Sequence, residues 1–336
     1  MKAFALPPGV EATGPPTMRD GVRLLVAHAG GIEHARFAQL GDFLSPGDLV
    51  VVNTSGTLAA AIDGTRADGR GVTVHFATAL DDGTWVVEVR PDHDASGPVA
   101  DSREGDVITL PDGVPLVLLA PHPNGQSRLW QSRIVVEGGI PAYLARHGRP
   151  IRYGYVPAPV PLAEYQTVFA RTPGSAEMPS AGRPFTTELV TELITRGVAL
   201  APIELHTGVS SQDPGEPPQP ERYRVPATTA RAVNMTRAWG GRVVAVGTTV
   251  TRALESAVDS IGVVRERAGW TDLVLGPDRP AQVVRGLVTG WHAPGASHLH
   301  LLEAVAGTEL VERAYAAALQ ARYLWHEFGD SCLLLP

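Results

Sequence analysis

The chain has 336 residues, 44% of them hydrophobic and 19% charged, with a formal net charge of −7. That is enough apolar material for two domains, or for one domain with a large insert, and it excludes global disorder and affinity built on a broad basic surface. A single cysteine, Cys332, excludes a disulfide framework and a multi-cysteine zinc site. Pro7 and Pro8 interrupt the N-terminal segment where a signal peptide needs an unbroken apolar stretch. No run approaches the roughly 18 apolar residues of a membrane span. A soluble, cytoplasmic monomer is expected.

Residues 1–18 read as extended. RDGVRLLVAHAG then reads as a strand, and FAQLGDFLSPGDLVVVNTSGT as helix, turn and strand. The continuous apolar run Leu49–Val52 suits a strand buried on both faces of a parallel or mixed sheet. It empties into the polar turn Asn53-Thr54-Ser55. From residue 61 the grammar changes. GVTVHFATAL and TWVVEVRP alternate with period two around Asp81-Asp82-Gly83, a hairpin signature. Short strands continue through GDVITLPDG, VPLVLLAP with an HPNG turn, and SRLWQSRIVVEGG. This is the pattern of a small barrel or sandwich.

A short helix follows Ile140, and then a Pro-rich passage leads into Tyr165–Thr186, YQTVFARTPGSAEMPSAGRPFT. A small-residue loop of that length feeding a helix inside a compact domain points to function, with an ordinary surface connection as the alternative. Thr186 or Thr187 can cap the helix, Phe185 can staple against Val190, and Gly197 ends it. Beyond it come the strand GVALAPIELHTG, a Pro-rich acidic loop (VSSQDPGEPPQPERY) and the helix TTARAVNMTRAWGG. RVVAVGTT is a buried strand and VTRALESAV a helix. TDLVLGP and AQVVRGLVTGWHAPGAS form two further units, and LHLLEAVAGTELVERAYAAALQARYLW reads as one long helix before the final strand SCLLLP. The expected organisation is an α/β layered domain over 1–60 and 140–336, interrupted by a β-rich domain over 61–139.

Three strand ends carry polar turns: Asn53-Thr54-Ser55, His206-Thr207-Gly208 and Gly247-Thr248-Thr249. The last opens a helix, so its amides and the helix dipole favour a carboxylate or phosphate, although a glycine at such a turn is also commonly structural. His206 and His292 each sit where a buried segment meets a loop and can exchange protons near neutrality, or serve as satisfied structural histidines. His292, His298 and His300 lack a carboxylate or thiolate spaced to complete a metal site, so no metal is expected.

Taken in order, these segments resemble the S-adenosylmethionine:tRNA ribosyltransferase-isomerase family of queuosine biosynthesis. The matching pieces are RDGVRLLV, LSPGDLVVVN, YQTVFA, GSAEMPSAGRPFT, LHTG, GRVVAVGTTVTRALES, TDLVLGP, VTGWHAPGAS and AYAAALQARYLWHEFGDSCLLL. The resemblance implies an α/β/α sandwich of about six strands with an inserted β-barrel. It implies S-adenosylmethionine as substrate, no further cofactor, and tRNA as partner. The reaction it implies moves the ribosyl part of S-adenosylmethionine to the aminomethyl group of a deazaguanine base, isomerises it to an epoxycyclopentane, and releases adenine and methionine. The site expected on that basis has His206, His292 and Tyr165 as catalytic groups. Asn53, Gln166, Pro179, Ala181, Gly182, Phe185, Thr186, Gly208, Thr248, Thr249 and Arg252 are expected to contact substrate. Thr248 and Thr249, with Arg252 one turn on, would take the methionine carboxylate.

The chain departs from the family pattern at some of these places. Where the family reads Asn-Asp-Thr-Arg and then Pro and Arg, this sequence has Thr54, Ser55, Gly56, Ala59 and Ala61. In the long loop Arg183 and Pro184 replace Leu and His. A small-molecule acceptor for the same donor, or a non-catalytic S-adenosylmethionine- or RNA-binding role, are the alternatives these departures leave open.

Overall fold

A computed structural model describes residues 4–91, 97–123, 128–209 and 218–336. The strands in chain order are β1 Arg23–His28, β2 Gly31–Arg36, β3 Leu49–Asn53 and β4 Ser55–Thr57. The barrel strands follow as β5 Ala61–Arg66, β6 Gly71–Ala79, β7 Trp85–Pro91, β8 Val107–Leu110, β9 Val114–Pro121 and β10 Leu129–Ile134. The remaining strands are β11 Thr172–Ser175, β12 Ala199–Leu205, β13 Glu221–Val225, β14 Val243–Val246, β15 Arg267–Thr271, β16 Gly286–Thr289 and β17 Ser331–Leu335. The helices are α1 Ile140–His147, α2 Thr187–Thr195, α3 Ala227–Ala238, α4 Thr248–Ser256, α5 His298–Ala306 and α6 Thr308–Gln320.

Nine strands form one sheet in the order β15-β13-β12-β3-β14-β16-β17-β1-β2. β3 lies inside it, parallel to β12 and β14, and all five of its residues are buried. Its side chains alternate between two cores, as a strand covered on both faces must. Leu49 and Val51 pack with residues of α3 to α6, while Val50 and Val52 pack with Phe37, Phe185 and the α2 residues Leu189 and Leu193. The fold is an α/β/α sandwich. Its body from β12 to β1 holds six strands, and the antiparallel strands β13 with β15, and β2, extend the two edges.

The strands β5 to β10 close into a separate six-stranded barrel with its own core, against which α1 packs through Tyr143 and Leu144. Trp270 and Arg222 on the sheet edge reach Asp81 at the tip of the β6–β7 hairpin, at 2.8 and 3.2 Å.

The structure differs from the sequence expectation in several local places, among them the unexpected strand β2 and the 3-10 rather than α-helical turn at Phe37–Phe43. The C-terminal helix is two helices, because Gly307 between α5 and α6 has φ +78°, outside the helical region. Glu221–Val225, read as the end of a loop, is β13, while residues 210–217 of that loop and part of the turn expected at His122–Gly125 lie outside the described residues. TDLVLGP, read only as a further unit, is strand no further than Thr271. The carbonyls of Thr271 and Leu273, which a strand partner would take, accept instead from the Arg252 guanidinium at 3.1 Å each.

The long loop is an ordered structure. Its residues Thr172–Ser175 pair in parallel with β4, and Ser180–Gly182 makes a single 3-10 turn before α2. Thr186 caps α2 by accepting from the Leu189 amide at 3.1 Å, and Gly197 follows the helix with φ +83°. Thr186→Ala should therefore cost about 1 kcal/mol of stability. Urea unfolding of the two proteins measures it, and an unchanged midpoint would show that the cap contributes nothing.

Candidate active site

A cavity of about 470 Å³ opens outside the C-terminal ends of β12, β14 and β16. Ligands of open α/β sheets sit in such crevices. Helix α4 points its N-terminus into this one, with Gly247, Thr248 and Thr249 on the wall. The first backbone bond of the helix runs from the Thr251 amide to the Gly247 carbonyl at 3.3 Å, so the amides of Thr248, Thr249 and Val250 precede it and have no partner within the helix. The Thr249 hydroxyl is also buried without a partner among the described residues. These donors and the helix dipole make one pole of the cavity attractive to an anion.

His292 and His298 line the same cavity and stack face to face, with centroids 4.6 Å apart and planes 2° from parallel. His292 Nε2 shares a hydrogen bond of 3.0 Å with the Thr289 hydroxyl, and its amide donates to Tyr315. Burial pushes the His292 imidazole well below its ordinary value, with His298 adding to the effect. Burial and then Arg252 push His298 down to about 4. Both rings are neutral near pH 7, so each offers one donor and one acceptor.

The other pole is acidic and aromatic. Tyr153, Tyr155, Glu177, His326 and Glu327 line it. The Tyr153 hydroxyl donates to Glu177 Oε1 in a very short bond. The Tyr155 ring stacks on His326 at 4.1 Å, and His326 in turn contacts Glu11 at 3.1 Å. Burial, and secondly the charge of Glu177, raise the Glu327 carboxyl to about 8. None of Tyr153, Tyr155, Glu177 or Glu327 was singled out from the sequence. The signals were present, as a Tyr-Gly-Tyr in the Pro-rich passage and a glutamate inside GSAEMPSAG. Only the fold brings the three segments together.

Of the residues singled out from the sequence, Pro179, Ala181, Gly208, Thr248, Thr249, Arg252 and His292 line the cavity. Arg252 is largely occupied there. It is 5% exposed, ion-paired with Glu221, and donates to the carbonyls of Gln219, Thr271 and Leu273. His206 lies just behind the wall formed by Thr207 and Gly208. Its Nδ1 contacts the Ser55 hydroxyl at 2.7 Å, and its Nε2 is 3.5 Å from Glu204. Burial lowers the His206 imidazole, against the pull of Glu204. Only glycine fits at Gly174 beside it, because a Cβ there would come within 2.4 Å of Nδ1.

The rest of the set holds the framework. The Asn53 amide donates to the Leu205 carbonyl at 2.8 Å and its carbonyl oxygen accepts from the amides of Leu205 and Ser55, joining β3 to β12. Gln166 pairs with both backbone groups of Thr57, at 3.0 and 2.8 Å. Gly182 packs on Thr167, Phe185 meets the rings of Phe37 and Phe169, and Thr186 caps α2. Tyr165 is 2% exposed. Its hydroxyl has no partner among the described residues, and its carbonyl accepts from Thr57. Arg183, the loop residue that departs from the family pattern, is buried beneath the ring of Phe328 at 5.0 Å and pairs with Glu164 at 2.8 Å. It ties the long loop to the segment that carries Glu327.

Among the described residues no group of three or more His, Cys, Asp or Glu could hold a metal ion, and no helix is long and apolar enough to cross a membrane. Fold and cavity together define an open-sheet α/β protein with a barrel and a cavity at its strand ends. The model of a family described as "Queuosine biosynthesis protein" matches residues 2–334. The chain is 36% identical to an S-adenosylmethionine:tRNA ribosyltransferase-isomerase of Symbiobacterium thermophilum, across 99% of this chain and 98% of that one. A protein of the same name from Thermotoga maritima is 33% identical over the same shares. The crystal structure of the S-adenosylmethionine tRNA ribosyltransferase from Thermotoga maritima superposes with a TM-score of 0.55 at 28% identity, covering 99% of both chains. The chain belongs to this queuosine biosynthesis family.

The raised carboxyl of Glu327 has a consequence for stability. Its contribution is fully present below the ordinary glutamate value of 4.5 and is lost as pH rises through about 8, because the folded protein holds a proton that the unfolded chain releases. Glu327→Gln should thus gain on the wild type between about pH 5 and pH 9, by on the order of 3 kcal/mol. Urea unfolding at the two pH values tests this, and a constant difference would mean that Glu327 ionises normally.

Proposed function

We propose that the protein transfers the ribosyl part of S-adenosylmethionine to a deazaguanine base of tRNA, isomerises it to the epoxycyclopentane, and releases adenine and methionine. The observation that carries this reading is a two-poled cavity in a chain that matches, from end to end, relatives named for that activity. Its volume of about 470 Å³ lies within the roughly 300–1,000 Å³ of small-molecule sites. The donor carries a carboxylate at one end of its methionine part and a sulfonium between that part and the ribose. In this reading Thr248 and Thr249 take the carboxylate, while Pro179, Ala181 and Gly208 form walls. His292, with His298 stacked on it, hydrogen-bonds the adenine as it leaves. The sulfonium acidifies the adjacent 5′ carbon, so a positioned base can start the reaction. His206, Tyr165, Asn53, Gln166, Gly182, Phe185, Thr186 and Arg252 position these groups from behind. The reading also takes residues 61–139 as the inserted domain, tRNA as the partner, and a cytoplasmic monomer as the working form.

One observation favours a small-molecule acceptor instead. The positions where the family carries Asp and Arg fall in or beside β4, where Ser55, Gly56, Ala59 and Ala61 are buried and present no charge to an acceptor.

Incubation with S-adenosylmethionine, with and without tRNA bearing the aminomethyl-deazaguanine base, separates the readings. Equal amounts of adenine and methionine should appear only when that tRNA is present. Release driven by a tRNA-free metabolite extract would favour the small acceptor, and release under neither condition would indicate a binding protein. His292→Ala should lower kcat about 100-fold, the usual cost of losing one preorganised hydrogen-bonding group. Unchanged adenine release from that variant would remove the role given to His292.

A further inference from the structure

The acidic pole has no place in the donor contacts drawn from the sequence, and its geometry points to a ligand. Glu177 and Glu327 come from segments about 150 residues apart in the chain (positions 177 and 327) and line one end of the cavity. Two carboxylates side by side repel, and folding leaves them together only where something compensates. Glu177 has the Tyr153 hydroxyl. Glu327 Oε2 is buried without a hydrogen-bond partner among the described residues. The hydroxyl of Tyr165, a residue 2% exposed, is equally unpartnered and within electrostatic range of Glu327 and Tyr155. An orphaned carboxylate oxygen on the cavity wall, with an orphaned phenol behind it, is a group that a bound molecule satisfies. The stacked rings of Tyr155 and His326 add an aromatic surface of the kind that accepts a soft cation.

We infer that Glu327, beside Glu177 and the Tyr153–Tyr155 wall, is the group that reads the positive charge of the donor's sulfonium. This rests on S-adenosylmethionine being the donor, and it adds which residue distinguishes the donor from its uncharged thioether. The groups facing Glu327 are Glu177 and Tyr153, Tyr155 and Tyr165, and the His326–Glu11 pair, with Arg152 acting on Tyr165. With no ligand bound, Glu327 holds its proton up to about pH 8. A sulfonium favours the ionised form, so its binding displaces that proton to solvent. Affinity for the cation then rises with pH, while affinity for a neutral thioether does not.

Calorimetric titration of the full-length protein with S-adenosylmethionine and with S-adenosylhomocysteine tests this at about pH 6.5 and about pH 8.5. The wild type should prefer the sulfonium about tenfold at the higher pH, with the preference shrinking at the lower. Glu327→Gln should bind both compounds within about twofold at both pH values. Its retained affinity for S-adenosylhomocysteine would show that the pocket is folded. Glu177→Gln removes the like charge, so the pH at which preference appears should move below about 8. A preference in Glu327→Gln equal to that of the wild type would overturn the inference while leaving the donor assignment standing. Failure of the wild type to bind either compound would overturn both.

Discussion

The buried ion pair between Arg252 and Glu221 is the contact on which the cavity depends. Arg252 belongs to α4, and Glu221 begins β13, the strand next to the edge strand β15. The guanidinium also takes the carbonyls of Gln219, Thr271 and Leu273, and the carboxylate accepts from the Gly208 amide. One pair thus joins α4, the turn after β12, β13 and β15. Burial raises the Glu221 carboxyl, and Arg252 with the Gly208 amide pulls it back. Removing one member alone would leave the other charged and dry, the costly way to break such a pair. That is why an arginine one turn into α4 serves as floor more than as ligand contact.

From that floor the two poles of the cavity follow. Amides with no partner within the helix and a helix dipole gather at the α4 end, and two carboxylates with Tyr153 and Tyr155 gather at the other. The stacked neutral histidines lie between residues Thr289 and Leu299 on the segment that follows β16. A zwitterionic donor with an internal cation fits this charge order. The long loop contributes to both poles, because Ala181 packs against Gly247 and Glu177 faces Tyr153. Arg183 beneath Phe328 then fixes the loop to the C-terminal segment that bears Glu327.

The parts legible in the sequence are those written in short-range pattern. The all-buried run at β3, the alternating hairpin β6–β7 and the Thr186 cap each declare themselves within ten or so residues. Gly307 was not legible, because a single glycine inside a helical pattern is often tolerated and only its φ shows that the helix stops. The break at Thr271 was hidden for another reason. Its carbonyls answer to an arginine in a different element. Residues at strand ends were readable as site candidates, since open sheets concentrate ligands there. Their division into cavity wall and framework was not readable. Asn53 and Gln166 look like polar contacts in sequence, yet both spend their amides on neighbouring backbone. The acidic pole, assembled from positions 153–155, 177 and 327, has no local signature at all.

A crystal structure of the protein with S-adenosylhomocysteine bound tests the central claim most directly. The account predicts ligand density in the strand-end cavity, with the carboxylate on the amides of Thr248–Val250 and the thioether sulfur turned toward Glu327. Density with the carboxylate at the Glu177–Glu327 end, or a ligand seated in the barrel with this cavity empty, would contradict it.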